Sequence, residues 1–370
     1  MRIVITGADG FIGRNLRVRL AEGGYDEIVP VTRADSSGDL RAVLGEADFV
    51  FHLAGVNRPK DPREFDSGNL GFTELLCQAL RDVGRLVPVV FSSSTQAEID
   101  NPYGRSKLAA EAALQGYGLA TGAPVHIFRL TNVFGKWARP NYNSAVATFC
   151  HNVARGLPIT VSDPAVWLRL VYIDDVVNEF MRLLSNPLRR GGFVEVDPVY
   201  EASLGDVAAT IQAFAESRTT LITDRVGAGL TRALYSTYVS DLPTERFAYT
   251  VPKHADPRGV FVEMLKTRDS GQFSYFTAHP GITRGEHYHH SKTEKFLVIR
   301  GTAHFGFRHI VTGETYELVT TGDEARIVET VPGWTHNITN VGDEEMIVML
   351  WANEIFDREN PDTIAMKVAA

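Results

Sequence analysis

The chain has 370 residues, and its hydrophobic fraction of 44% is enough to build two packed domains. A formal net charge of -8 and the absence of any Lys/Arg-rich run argue against a nucleic-acid partner. No apolar run reaches the ~18 residues that a membrane helix needs, and two cysteines cannot form a disulfide framework. Because the chain opens on a strand pattern rather than a signal peptide, we expect a cytoplasmic protein without membrane insertion.

The first half of the chain alternates short β-branched runs with longer helical patterns. Runs such as "RIVITG", "DFVFHLAG" and "VPVVFSSS" each end in small or polar residues. This rhythm is typical of a parallel sheet whose strands are joined by crossover helices. We therefore predict a Rossmann-like α/β domain and assign it to residues 1–243.

Three glycines, Gly7, Gly10 and Gly13, follow the first predicted strand in "TGADGFIG" and lead into a helix. Glycine lets the backbone turn tightly and approach a pyrophosphate, which then meets the free N–H groups of the helix start. The position of this turn at the first strand–helix junction predicts a dinucleotide site.

The end of the second predicted strand indicates which dinucleotide binds. Arg33 stands there, where an NAD site usually carries an acidic residue for the ribose hydroxyl. A guanidinium favours a 2′-phosphate, so we expect NADPH, with Arg14 as a second contact. Asp35 lies close enough to keep NAD as the alternative.

Tyr103 and Lys107 in "NPYGRSKLAAE" are four residues apart and therefore share one face of a helix. An adjacent ammonium stabilises a phenolate and lowers the pKa of the tyrosine, which suits Tyr103 for proton transfer. Upstream, "VVFSSSTQ" delivers hydroxyl groups at the carboxyl end of a strand. We select Ser94 as the hydroxyl that binds a substrate carbonyl, with Ser93 and Thr95 as alternatives.

In the polar loop after "NVFG", Arg139, Asn141 and Asn143 are candidate contacts for a sugar nucleotide, against the alternative of an ordinary loop.

The last third of the chain then loses the helical period beyond residues 256–265. Short strands follow one another, separated by close turn signals such as "RGTA", "VTGE", "TTGD" and "VPGW". Such spacing predicts an all-β sandwich or barrel, which we assign to residues 244–370.

Four residues of this second domain have the spacing of a metal site, namely His287, His289, Glu294 and His336. The first two alternate on one predicted strand and point to one face, the carboxylate follows on the next strand, and the third imidazole comes from a distant strand. Converging inside a barrel, they would bind one divalent metal, for which we expect zinc. The alternative is a metal-free barrel that uses a histidine as a base.

Seven motifs in residues 1–185 resemble, in content and order, the extended short-chain dehydrogenase/reductases that act on nucleotide sugars. They are "TGADGFIG", "HLAG", "NLGFTELL", "FSSS", "YGRSK", "RLTNVFG" and "LVYIDDV". The resemblance implies cofactor contacts in the first two motifs and at the tyrosine and lysine, namely Gly7, Gly10, Phe11, Ile12, Gly13, Arg14, Leu53, Ala54, Tyr103 and Lys107. It implies that Ser94, Tyr103 and Lys107 are the catalytic set.

The same resemblance implies further roles. Asn69 fits the family's structural asparagine, and Asn132 fits the position that usually contacts the sugar nucleotide. Arg169 stands about one place from where the family's diphosphate-binding arginine normally falls, and its alternative is a surface strand residue.

Residues 281–301 and 331–340 resemble the two cupin motifs, although Val331 stands where cupins often carry proline. "DPRGVFVE" and "RGEHYHH" also resemble cupin-type sugar 3,5-epimerases, which take a proton from the carbon beside a 4-keto group and work without metal. In this comparison His290 supports the metal ligands or acts as an acid/base residue. Lys292 is the other acid/base candidate.

A nucleotide-sugar reductase followed by an epimerase-like cupin resembles the bifunctional capsular polysaccharide enzymes that make the precursor of UDP-N-acetyl-L-fucosamine. The resemblance implies a homodimer and the substrate UDP-2-acetamido-2,6-dideoxy-β-L-arabino-4-hexulose. The cupin would invert carbon 3, and the first domain would use NADPH to reduce the 4-ketone to UDP-2-acetamido-2,6-dideoxy-β-L-talose. Three alternatives remain: a cupin that serves only dimerisation or folding, a sensor without turnover, and a 4-epimerase that retains NAD.

Overall fold

The computed structural model describes residues 1–32, 37–187, 190–289, 292–310, 312–359 and 361–369. The chain divides into two compact units. The first contains Met1–Ile211 and Ala233–Leu242, and the second contains Gln212–Arg232 and Pro243–Ala370. The boundary between residues 243 and 244 stays a sequence prediction, since the second unit also includes an earlier segment.

The first part of the chain alternates strands and helices. In chain order the strands are β1 (Ile3–Thr6), β2 (Ile28–Val31), β3 (Phe49–His52), β4 (Val89–Ser94), β5 (Val125–Leu130), β6 (Asn132–Phe134), β7 (Trp167–Tyr172), β8 (Gly192–Phe193) and β9 (Tyr200–Ser203). The helices are α1 (Phe11–Glu22), α2 (Ser37–Gly45), α3 (Arg63–Phe65), α4 (Phe72–Val83), α5 (Pro102–Thr121), α6 (Ala145–Ala154), α7 (Ile173–Leu184), α8 (Leu204–Thr220) and α9 (Gly229–Ser240). A π-helix at Asp66–Gly71 joins α3 to α4, and a 3₁₀ turn at Thr95–Glu98 follows β4.

A parallel sheet in the order β2-β1-β3-β4-β5-β8 forms the centre of the first unit. Its central strands are continuous apolar runs, such as "IVIT" in β1 and "FVFH" in β3, and every residue in them is buried. A parallel strand needs such a run because helices cover both faces of the sheet. This architecture confirms the predicted Rossmann-like α/β domain.

Each face of the sheet has its own core. On one face, Val4 of β1 packs in a cluster with Leu80 of α4 and Leu114 of α5. Alternate strand residues point the other way. On that face, the ring of Phe180 in α7 lies 5.6 Å from Phe51 and 4.8 Å from Phe128, measured between ring centroids. Strand β4 and the buried face of α5 are thereby held in a packed interior.

Helix α5 begins and ends at clear sequence signals. The Asn101 side chain accepts a hydrogen bond from the backbone N–H of Gly104 at 2.8 Å, and Pro102 occupies the first turn. Gly122 ends the helix in the left-handed conformation, with a φ of 79°. These caps set Tyr103 in the first turn of α5, shortly after the end of β4.

The second unit is an antiparallel sandwich. Its strands are β10 (His254–Asp256), β11 (Gly259–Thr267), β12 (Gly271–Ala278), β13 (Thr283–Tyr288), β14 (Glu294–Arg300), β15 (Thr302–His309), β16 (Thr315–Thr321), β17 (Ile327–Glu329), β18 (Trp334–Asn340), β19 (Met346–Ala352) and β20 (Ile364–Ala365). One sheet has the order β10-β11-β12-β19-β14-β17, and the other has the order β16-β15-β18-β13-β20.

The two sheets share one apolar core. Phe276 and Met346 enter it from the first sheet, and Phe305 and Ile338 enter it from the second. Inward residues alternate with outward ones along each strand, as expected for a sandwich. The predicted all-β second domain is therefore confirmed. Among the described residues, no helix combines the length and apolarity that crossing a membrane requires.

Candidate functional site

The glycine turn after β1 forms a cradle against the loop after β3. Gly7 has a φ of 70°, and a Cβ there would meet the backbone N of Ala54 at 2.7 Å. A Cβ on Gly13 would lie 2.5 Å from the Gly7 carbonyl oxygen. Because α1 starts directly after the turn, at Phe11, its free N–H groups lie beside this closely packed backbone. The cradle fits the diphosphate of a dinucleotide.

The residues predicted to contact the cofactor's ribose are Arg33, Asp35 and Arg14. Arg33 and Asp35 lie outside the described residues. The Arg14 guanidinium donates a hydrogen bond to the Trp137 carbonyl oxygen at 2.8 Å, so a protein acceptor already holds it. The choice of NADP over NAD therefore stays a prediction.

Lys107 is buried beneath the carboxyl end of β4. Its Nζ donates a hydrogen bond to the Ser92 carbonyl oxygen at 2.7 Å and lies 4.4 Å from the centroid of the Phe91 ring. Burial lowers the pKa of Lys107 to about 8, while the Glu111 carboxylate acts in the opposite direction. The ammonium group is thus dry, oriented by the strand and close to its titration range near neutral pH.

Tyr103 lies next to Ser94 at the end of β4. Burial raises the pKa of Tyr103, and the Ser94 contact only partly offsets this. The expected lowering of this pKa was therefore wrong in direction for the protein alone, because burial outweighs the contact that lowers it. Ser93 instead donates its hydroxyl proton to Glu111.

Asn69 lies in the π-helix and ties three segments together. Its side-chain oxygen accepts a hydrogen bond from the Val56 N–H at 2.8 Å, and its amide donates to Ser106 of α5 at 2.9 Å. Its carbonyl accepts the hydroxyl proton of Thr73, which leaves the Thr73 oxygen free to accept the Nε2 proton of the buried His52. The wide π turn puts the asparagine where these contacts meet, as such turns often do near functional sites.

A cavity of about 440 Å³ lies at the carboxyl ends of β4, β5 and β7. Its lining includes Thr95, Arg129, Arg169 and Phe193. Arg169 is 62% exposed, and its Nε lies 3.6 Å from a Glu201 oxygen. A crevice outside the carboxyl ends of the strands is where open α/β sheets bind ligands.

The other predicted substrate contacts are not among the lining residues of this cavity. The Asn132 side chain donates to the Arg169 carbonyl oxygen at 3.0 Å. The Arg139 guanidinium lies 5.0 Å from the Tyr142 ring centroid, and Asn141 has a φ of 53°. Asn143 belongs to the same loop before α6. The cavity and this loop are therefore separate features in the structure.

The four predicted metal ligands converge in the second unit. They are His287 on β13, His289 just after it, Glu294 at the start of β14 and His336 on β18. Their ligand atoms all lie within 4.8 Å of one another. The antiparallel register brings the first and last of them together, since they are direct partners across β13 and β18.

The side-chain positions in this cluster fit a divalent metal. His289 Nδ1 hydrogen-bonds to the carbonyl oxygen of Asp362, which can only accept, so Nδ1 carries the proton. Its Nε2 lies 3.3 Å from a Glu294 oxygen. His336 Nε2 lies 3.6 Å from the same oxygen. Two ring nitrogens that converge on one carboxylate oxygen, one of them in a ring held by a backbone carbonyl, are the arrangement of a metal site.

The ligands are also in the protonation state that a metal needs. Burial, with the neighbouring imidazole of His336, lowers the pKa of His287 to about 4. Burial alone would raise the pKa of Glu294, but the imidazoles of His289 and His336 hold that pKa well below its usual range. Three imidazole nitrogens and one carboxylate oxygen fit a divalent ion such as zinc.

Lys292 shares the carboxylate of this cluster. Its Nζ lies 3.0 Å from the second oxygen of Glu294, and both side chains are buried. Its backbone N–H donates to the Asp362 side chain at 2.8 Å. An ammonium group is thus held beside the candidate metal position. His290, the other acid/base candidate, lies outside the described residues.

Sequence reasoning missed Glu111 and Arg129, which link α5 to β5 beneath the Tyr103 site. Arg129 Nη2 donates to a Glu111 oxygen at 2.7 Å. The signal available for Glu111 was its position one helical turn beyond Lys107. Nothing in the local sequence of Arg129 indicates that β5 lies next to β4.

Comparisons with known proteins agree over the whole chain. Residues 3–194 match the NAD dependent epimerase/dehydratase family, and residues 254–364 match the polysaccharide biosynthesis C-terminal domain. A UDP-2-acetamido-2,6-beta-L-arabino-hexul-4-ose reductase from Pseudomonas aeruginosa is 60% identical over 368 residues, which cover 100% of this chain and 99% of the relative.

Two solved structures share the full fold. The capsular polysaccharide assembling protein CapF from Staphylococcus aureus is 41% identical with a TM-score of 0.91, covering 99% of this chain and 100% of that chain. A structure of CapF with the inhibitor 3-isopropenyl-tropolone is 36% identical with a TM-score of 0.86, at the same coverage. The chain therefore belongs to the NAD dependent epimerase/dehydratase family and, over its full length, to the two-domain capsular polysaccharide enzymes in which that domain precedes a cupin.

Proposed function

We propose that this chain is a two-domain nucleotide-sugar enzyme. The cupin inverts C3 of UDP-2-acetamido-2,6-dideoxy-β-L-arabino-4-hexulose, and the first domain then reduces the C4 ketone with NADPH. The product is UDP-2-acetamido-2,6-dideoxy-β-L-talose, towards UDP-N-acetyl-L-fucosamine. The observation that carries the proposal is the 60% identity, over the full length, to a reductase named for this hexulose.

The reductase step uses a bound dinucleotide, which supplies a hydride to C4 of the ketone. The C4 oxygen then needs a proton, and Tyr103 donates it from its hydroxyl. The raised pKa of Tyr103 supports this role, because the hydroxyl stays protonated at neutral pH. Ser94, which lies next to Tyr103, binds the same oxygen. Lys107 supplies the positive charge that stabilises the phenolate left behind, and a proton from water restores Tyr103.

The substrate lies, in this proposal, at the carboxyl ends of the strands. Arg169 has the support of the cavity that it lines and binds the diphosphate. Asn132 and the loop residues Arg139, Asn141 and Asn143 are the further contacts that the family resemblance implies.

The epimerase step belongs to the cupin. A divalent metal, which we propose to be zinc, supplies positive charge beside the C4 oxygen when it is bound. Removal of the C3 proton leaves an enolate, and return of a proton to the opposite face inverts C3. Lys292, held 3.0 Å from Glu294, is the described acid/base candidate, and His290 remains the other. The tropolone inhibitor of the relative supports a metal, because tropolones chelate through two adjacent oxygens.

One experiment separates the two activities. The 4-keto UDP sugar is followed by NMR in deuterated buffer, first without NADPH and then with it, on the wild type and on His287→Asn. We expect deuterium to enter C3 without NADPH in the wild type only, and a reduced sugar to form once NADPH is added. If neither exchange nor reduction occurs in the wild type, the proposed function is wrong.

A second function has one observation in its favour, since the relative from Pseudomonas aeruginosa is named only as a reductase. In that case the cupin serves folding or dimerisation, and its metal is structural. Reduction without any exchange at C3 in the wild type would decide for this alternative. Tightly bound NAD without net NADPH consumption would indicate a 4-epimerase instead.

The proposal also includes a homodimer and a cytoplasmic location, both of which rest on the family resemblance. Light scattering on the purified chain across a concentration series tests the dimer, which requires twice the chain mass of 40.8 kDa. Cell fractionation tests the location.

A further inference from the structure

Glu111 is a buried carboxylate to which the reaction above assigns no role. It lies on α5, one turn after Lys107 and two turns after Tyr103, so the three side chains share the face of the helix towards β4. Glu111 is only 1% exposed. A carboxylate is costly to bury unless it is paired and hydrogen-bonded, so its partners are informative.

Those partners come from two neighbouring strands. The Arg129 guanidinium donates two hydrogen bonds to the carboxylate, from Nε to one oxygen at 3.0 Å and from Nη2 to the other at 2.7 Å. Such bidentate pairs fix orientation as well as distance. The Ser93 hydroxyl donates to the first oxygen. Ser93 and Arg129 are direct register partners across β4 and β5, so their side chains stand on the same face of the sheet. Glu111 therefore fastens α5 across both strands.

The end of β4 contacts α5 through three consecutive residues. The Ser92 carbonyl accepts a hydrogen bond from Lys107, Ser93 donates to Glu111, and Ser94 lies next to Tyr103. Of these three contacts, the middle one is anchored to β5 by Arg129. The spacing between Ser94 and Tyr103 therefore depends on the Glu111 contact, because a shift of α5 along β4 would break it.

Glu111 also provides the negative charge nearest along the helix to Lys107. The groups that face Lys107 are the Phe91 ring and the Ser92 carbonyl of β4, and His52 of β3. His52 is neutral near pH 7, since burial and the Lys107 charge lower its pKa to about 3. On its own helix, Lys107 is flanked by Tyr103, which is also protonated, and by Glu111. Of these groups, Glu111 is the anion.

We infer that Glu111, held by Arg129, is a positioning residue of the reductase site: it fixes α5 against β4 and places a carboxylate one helical turn from Lys107. The inference rests on the proposed reductase function of Tyr103 and Lys107. It predicts two separable losses when Glu111 changes. Loss of its charge affects the titration of Lys107, and loss of its length affects the alignment of Ser94 with Tyr103.

Three variants of the full chain test this. Glu111→Gln keeps the shape and removes the charge, whereas Glu111→Asp keeps the charge and shortens the side chain. Glu179→Gln, which removes the Glu179–Arg182 ion pair of α7, is the matched control. If Glu111→Gln does not fold, the double variant with Arg129→Met removes both members of this ion pair and leaves neither unpaired.

The first readout is independent of turnover. Lysine-labelled, cofactor-free protein is titrated by NMR, and the Lys107 signal is assigned from its absence in Lys107→Met. In Glu111→Gln we expect Lys107 to titrate about one pH unit lower than in the wild type, because a nearby opposite charge has been removed. Glu111→Asp and Glu179→Gln should leave the titration near the wild-type value of about 8. An unchanged titration in Glu111→Gln would overturn the charge role.

The second readout is the pH profile of 4-keto sugar reduction. Activity requires a cationic Lys107 and is lost as the pH rises through its pKa, so the alkaline limb should move to lower pH in Glu111→Gln only. Glu111→Asp should keep the limb and lose about tenfold in kcat through misalignment. Wild-type rates of reduction in both Glu111 variants would contradict the positioning role. A wild type that reduces nothing would instead count against the proposed function, while the NMR titration still tests the charge role.

Discussion

The two candidate sites balance a buried carboxylate in different ways. In the first domain, Glu111 forms an ion pair with Arg129, a cation that the protein itself provides. In the cupin, Glu294 faces two imidazole nitrogens at 3.3 and 3.6 Å, and one of these rings has its proton fixed on the far side by a backbone carbonyl. The first arrangement pairs its charges within the protein, whereas the second gathers ring nitrogens and a carboxylate oxygen that a metal would bind.

The two sites also differ in how far apart their residues lie in the sequence. The reductase site is assembled from one helix face and one strand end, so most of its spacing is local in sequence. The cupin site collects ligands from β13, β14 and β18, so it depends on strand register across the sandwich. We expect single substitutions in the first site to change the rate of reduction. Substitutions in the second site should lower both metal content and stability.

The largest expected effect breaks one site and leaves the other intact. Tyr103→Phe removes the proton donor, so reduction should fall by about 10² to 10⁴-fold, while deuterium exchange at C3 continues. NADPH consumption and C3 exchange are measured on the same preparation.

Tyr117→Phe is the matched control, because this buried tyrosine on the same helix donates only to the Val87 carbonyl oxygen. It should keep its rate of reduction. Equal rates in the Tyr103→Phe variant and the wild type would contradict the assignment of the proton donor.

The next effect is on metal content. His287→Asn removes one of the four ligands, so bound metal should fall well below one ion per chain. The cupin should lose the stability that binding confers, about 2.7 kcal/mol for an ion at a hundredfold excess over its Kd. Elemental analysis and thermal unfolding with and without a chelator measure both. His304→Asn, a half-buried histidine on β15, is the control, and equal metal content in the two variants would contradict the site.

A smaller effect concerns His52, a buried histidine of the first domain. Burial lowers the pKa of His52 from 6.5 to about 3. Between these two pH values the unfolded chain binds a proton on His52, whereas the folded chain does not. Stability of the first domain should therefore fall as the pH drops below 6.5, by about 2 kcal/mol at pH 5 from this group. Hydrogen exchange of β1 and β3 amides at pH 7 and pH 5 measures it. His52→Gln should lose this part of the pH dependence, and an identical slope would count against it.

The smallest expected effect contrasts two glycines of the first domain. Gly13→Ala brings a Cβ to 2.5 Å from the Gly7 carbonyl oxygen, so the Kd for NADPH should rise about tenfold, or about 1.4 kcal/mol. Gly116→Ala in α5 has open space and should stabilise the helix by roughly 0.5–1 kcal/mol without changing cofactor binding. Fluorescence titration and thermal unfolding report these changes. Equal cofactor affinity in the two variants would show that the turn does not hold the diphosphate.

Much of both sites could be read from short patterns. The glycine turn, the Tyr103–Lys107 spacing and the metal cluster were all predicted from residues whose neighbours in space are near in sequence or belong to known motifs. Arg129 could not be predicted, because its contact with Glu111 requires β4 and β5 to be adjacent and in register. The carbonyl of Asp362 reaches His289 from a distant part of the chain for the same kind of reason. The pKa of Tyr103 was expected to fall, and burial raises it instead.

The sequence by itself determined the two-domain order, the Rossmann-like and all-β classes, and the residue types at each site, because periodicity and motif spacing are local properties of the chain. Only the tertiary structure decided that the Ser93 hydroxyl donates to Glu111 and that Ser94 lies next to Tyr103. It also decided that Lys107 is buried and that the cupin nitrogens converge on the Glu294 carboxylate. Burial, register and proton positions depend on residues far apart in sequence, and a linear pattern does not contain them.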